Sequence, residues 1–87
     1  MVTVRQRITQ TLTEAFHPAV LEVVDESHLH KGHGGWRPEG ETHFRVRITS
    51  DAFRGASRVD VHRRINAALA EELKAGVHAL AIEAKAA

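Results

Sequence analysis

Residues 27–35, SHLHKGHGG, hold His28, His30 and His33, three of the seven histidines in the chain. Neutral imidazole is a common metal ligand, and an HxHxxH pattern on a glycine-rich segment can bring two rings to one ion. The spacing matches no zinc signature, and a chain with no cysteine has no thiolate to offer any metal. From spacing alone, a metal-binding loop and a solvated loop with incidental histidines both stand. His78, which opens the apolar run HALAI, has the residue type of either a ligand or a packed core histidine. His62 in VHRR and His43 in ETHFR read as structural or partner-contact residues.

A second chemistry belongs to the arginines. Arg54, Arg58, Arg63 and Arg64, with Arg45 and Arg47 on a neighbouring strand, predict a local basic surface that only Asp60 interrupts between positions 54 and 64. Such a surface can contact phosphates, with the helix over 58–75 entering a major groove, or it can dock an acidic partner. The net charge of +1 exerts no global pull toward nucleic acid. Trp36 is the only tryptophan and tyrosine is absent, so aromatic stacking on single strands has little support. Neither a cysteine nucleophile, nor GxSxG, nor a phosphate loop is present, which argues against an enzyme.

The elements that must position these groups follow from periodicity. Val4, Ile8, Leu12, Ala15 and Phe16 form one helical stripe, opened by a Thr3/Gln6 capping box and closed at Pro18. VLEVVD, 20–25, is short and β-branched and reads as a strand. Residues 26–41 show no periodicity and carry four of the six glycines, which predicts a long loop. In THFRVRITS, Phe44, Val46 and Ile48 alternate with His43, Arg45, Arg47 and Thr49, the pattern of a half-buried strand antiparallel to 20–25. A turn brings Phe53 to the core. Ser57 then caps one helix over 58–75, with Val61, Ile65, Ala68, Leu69 and Leu73 buried and Gly76 at its end. The last segment predicts a strand with His78, Leu80 and Ile82 on one face. At 87 residues, a single α+β domain is expected, a three-stranded sheet with helices on one face. No apolar run is long enough for a membrane span, no signal peptide is evident, and a cytoplasmic protein is expected.

Taken in order, LEVVDESH, the histidine-bearing loop, ETHFRVRITSDAF, VHRRINAALAEEL and VHALAI resemble the BolA family over nearly the whole chain. The resemblance implies a fold like the class II KH domain, order αββ(α)αβ. It implies a monothiol glutaredoxin as partner and a 2Fe–2S cluster shared with it, or DNA as the target of a transcriptional regulator. It makes His78 a cluster ligand together with one loop histidine: His33 if ETHF anchors the comparison, His30 if ES does. A cysteine-free chain then supplies at most two imidazoles, and the remaining sulfur ligands come from the glutaredoxin and its glutathione. No tightly bound cluster is expected on the isolated chain, which should be a monomer or weak homodimer. Arg58, His62, Arg63 and Arg64 are the residues for nucleic-acid or partner contact. RGASR lacks the GxxG with which KH domains clamp a nucleic-acid backbone.

Overall fold

The computed structural model describes residues 3–27, 42–77 and 79–87. Helix α1 spans Val4–Phe16 and starts on the expected capping box. Thr3 Oγ1 accepts the Gln6 N–H at 3.1 Å, and Gln6 Oε1 accepts the Thr3 N–H at 2.8 Å. The helix stops at Phe16 because Pro18 disfavours right-handed helix at the residue before it. His17 turns instead into the left-handed region, φ 44°, with its N–H on the Thr13 carbonyl.

Strands β1 (Val20–Asp25) and β2 (His43–Ser50) pair antiparallel, with Val23 opposite Val46. After a short 3₁₀ turn at Asp51–Phe53, helices α2 (Arg58–Ala68) and α3 (Ala70–Ala75) return the chain to β3 (Ala79–Ala86). That strand lies parallel to β2 and gives the order β1-β2-β3. The α+β architecture is therefore the expected one, with β2 central.

Alternation on β2 divides the sheet into two faces. Phe44, Val46 and Ile48 meet Ile8 and Leu12 of α1, Val61 and Ile65 of α2, and Leu69 in one buried cluster. Phe53 joins it, with its ring 5.1 Å from that of Phe16. The opposite face carries charge. Arg47 reaches Glu22 at 2.7 Å and Glu83 at 3.4 Å, while Arg45 reaches Glu83 at 2.8 Å and Glu26 at 3.0 Å.

Four expectations are corrected. The single helix over 58–75 is broken at Leu69 (φ −100°, ψ 16°), although the i, i+4 stripe runs through the break and gives no sign of it. Ala15 is exposed, and Ala68 and Leu73 are only half-buried, so both apolar stripes are narrower than drawn. His43 lies on the charged face as expected but is buried, 4% exposed. Arg45 and Arg47 do not extend a basic surface on α2: they sit on the face away from the helices, held by Glu22, Glu26 and Glu83.

Candidate functional site

One end of the sheet brings together described residues that flank the candidate ligands in sequence. The described residues on either side of the histidine-bearing segment are Asp25, Glu26 and Ser27 at the end of β1 and Thr42 at the start of β2. A buried hydroxyl clasps the two ends. Ser27 Oγ accepts the Thr42 N–H at 2.9 Å and the His43 N–H at 3.1 Å, and donates to Asp25 Oδ1 at 2.6 Å. Ser27 and Thr42 are 2% and 0% exposed, so these bonds stand in for water that cannot reach the groups. Beside them the Thr42 hydroxyl lies 2.8 Å from His43 Nδ1, and the Glu26 N–H donates to the His43 carbonyl.

The same end receives the start of β3. The Ala79 N–H donates to the Thr42 carbonyl at 3.2 Å, so the residue after His78 bonds directly to the residue that closes the loop. His28, His30, His33 and His78 themselves lie outside the described residues. Among the described residues, no three His, Cys, Asp or Glu side chains gather as a metal site. The clasp escaped the sequence reading. Its only trace is a hydroxyl residue on each side of the glycine-rich segment, Ser27 in VDES and Thr42 in ETHF.

Of the expected contact residues, Arg58 and His62 lie beside the other end of β3. Arg64 pairs with Asp60 at 2.8 Å and donates to the Ala52 carbonyl at 3.1 Å, and Arg54 pairs with Asp51 at 3.0 Å. Arg58 and Arg63 form no ion pair among the described residues, and His62 is half-buried. Arg58 and His62 line a cleft of about 500 Å³ between α2 and β3, with Val61, Ile82, Ala84 and Lys85. Two of the four arginines between positions 54 and 64 are thus paired with carboxylates.

A three-stranded mixed sheet with β1 and β3 flanking β2 and helices on one face defines a small α+β domain class. The BolA-like protein family model matches residues 12–87, and the chain belongs to that family. It is 57% identical over 79 residues to an uncharacterized protein in the cobS 5' region of a Sinorhizobium species, covering 90% of this chain and 85% of that one. It is 47% identical to the DNA-binding transcriptional regulator BolA of Escherichia coli, covering 91% and 71%. Among solved structures, the BolA domain of SufE1 from Arabidopsis thaliana superposes with a TM-score of 0.88 at 46% identity, covering 99% of this chain and 94% of that one. Family membership extends to longer proteins, for the chain spans 22% of the Arabidopsis SufE-like protein 1.

Proposed function

We propose that this chain is a non-enzymatic adaptor that binds a monothiol glutaredoxin and shares a 2Fe–2S cluster with it, in iron–sulfur trafficking or iron regulation. The observation that carries the reading is the meeting of Ser27, Thr42 and Ala79 at one sheet end. Ser27 and Thr42, which bound the histidine loop, are bonded to each other, and Thr42 is bonded to Ala79, next to His78. Described residues that adjoin the two candidate ligand segments, far apart in sequence, are thereby joined through Thr42, which supports the reading.

The donor chemistry fits half of a cluster site. His78 and one of His33 or His30 would hold an iron through neutral imidazole, and thiolate ligands would come from the glutaredoxin and its glutathione. Imidazole in place of thiolate removes negative charge, which raises the reduction potential of a bound cluster. The test is to mix the purified chain with cluster-loaded glutaredoxin and record visible circular dichroism. A spectrum distinct from that of the glutaredoxin alone is expected, and its absence would remove the adaptor reading.

A second reading is a DNA-binding regulator, the function printed in the name of the Escherichia coli relative. The observation in its favour is that Arg58 and Arg63 on α2 lack carboxylate partners among the described residues. Neutralising Arg63 and Arg64 should then weaken DNA binding and flatten its salt dependence. An unchanged salt slope would take α2 out of such an interface.

A further inference from the structure

β3 is an edge strand, and no other strand covers its outer side among the described residues. The direction of its free groups can be read from its two ends. Ala79 donates inward to Thr42, and Ala87, just past the strand, donates inward to Ser50. In a parallel strand the N–H and C=O of one residue point the same way and alternate along the chain. Odd-numbered residues therefore face β2, and Leu80, Ile82, Ala84 and Ala86 present their N–H and C=O groups outward. Natural edge strands are usually short or are protected by proline, bulges or charged side chains, lysine above all. This one runs for eight residues without proline, and Glu83 and Lys85 are its charged residues.

The open edge borders the cleft under α2. Val61, Ile82 and Ala84 make an apolar floor, and Arg58, His62 and Lys85 make a basic rim. Glu83, also at the rim, is already bonded to Arg45 and Arg47, whereas Arg58 and Lys85 have no ion pair among the described residues. We propose that this cleft and strand edge form a docking site for an extended acidic peptide segment of a partner protein, added to β3 as a fourth strand. A stretch of about five residues suffices, since Ile82 to Ala86 spans roughly 13 Å at about 3.3 Å per residue.

Charge favours this occupant over the alternatives. A second copy docked edge to edge would bring its own Arg58 and His62 toward this rim. A nucleic-acid strand would meet Arg54 and Arg64 already paired with Asp51 and Asp60, and Phe53, the aromatic residue lining the cleft, is 3% exposed and offers no stacking surface. The site lies at the far end of β3 from His78 and is independent of the shared-cluster reading.

The test uses the full chain and a fluorescein-labelled heptapeptide of alternating glutamate and valine, followed by anisotropy. Saturable binding is expected, and a lysine–valine control should not bind. N-methylation of alternate peptide amides should abolish binding in one phase and spare it in the other, a result that involves no change to the protein. Arg58→Glu combined with Lys85→Glu should weaken binding at least about tenfold. The proposal is overturned by no saturable binding, by equal loss in both methylation phases, by tighter binding of oligothymidylate than of peptide, or by self-association that Arg58→Glu strengthens.

Discussion

Ser27 is a small residue with a large share of the polar accounting at the clasped end. Its hydroxyl is the acceptor for two backbone amides, those of buried Thr42 and His43, and the donor to Asp25. Ser27→Ala leaves both amides without that acceptor in a place water does not enter. Losing hydrogen bonds to such buried groups costs about 1–3 kcal/mol, and urea unfolding should show a loss in that range with the fold retained. A loss below about 0.5 kcal/mol would mean that the clasp is open to solvent. His78 is expected to behave in the opposite way. His78→Ala should leave the unfolding midpoint close to wild type and abolish the mixed-cluster spectrum, whereas His33→Ala should only weaken or alter that spectrum and His30→Ala should do less. An unfolded His78→Ala chain would mark His78 as a core residue, and an unchanged spectrum would remove it from the ligand set.

At the level of elements, β3 is held to the sheet by more than its ladder. Glu83 bridges Arg45 and Arg47 across the strand boundary, and the Arg45 hydrogen bond foremost holds its carboxyl below the usual glutamate range. A carboxyl that titrates lower when folded stabilises the fold fully above its unfolded value, about 4.3, and loses that contribution as the pH falls through its folded value. Glu83→Gln should therefore be less stable than wild type at neutral pH, with the gap closing in acid. The gap should be small and should shrink with added salt, because Glu83 and Arg47 are about half-exposed and Arg45 about a third exposed. Thermal melts across that pH range at two salt concentrations check it. This ladder also shows which features sequence made legible. Alternation put Phe44, Val46 and Ile48 inside and Arg45 and Arg47 outside, and Thr3, Gln6, Ser57 and Gly76 fixed where helices begin and end, because all of these are local rules. Alternation says nothing of a strand's neighbours. That Glu22 and Glu83 would flank the arginines depended on β2 lying between β1 and β3. The burial of His43 likewise involves a distant residue, Ser27, and the turn at Leu69 interrupts an i, i+4 pattern that runs through it without a sign. The basic surface was overdrawn for the same reason: arginines were counted without the carboxylates that the fold sets beside them.

Across the whole molecule, β3 connects two places with different chemistry. Its first residue follows His78 and bonds to the clasped loop end, and its second half lines the cleft with Arg58 and Lys85. From Ala79 to Ala84 the strand advances roughly 16 Å, about twice the 8 Å over which charges act through physiological salt. No ion pair among the described residues runs from Arg58 or Lys85 toward Ser27, Thr42 or Ala79. Sites more than about 7–10 Å apart with no shared partners act independently, so the two functions should not interfere. Arg58→Glu with Lys85→Glu should leave the mixed-cluster spectrum with glutaredoxin unchanged, provided that glutaredoxin is not itself the protein that supplies the acidic strand. His78→Ala should leave the glutamate–valine peptide affinity unchanged. The chain carrying all three changes should lose each function by the same amount as the separate variants, with additivity in peptide binding within about 0.5 kcal/mol. If the charge reversals instead weaken cluster sharing while the fold is intact, the cleft is part of the glutaredoxin interface, and the acidic strand belongs to that partner. A peptide affinity that changes on His78→Ala would show that β3 shifts as a unit and would overturn the independence of the two ends.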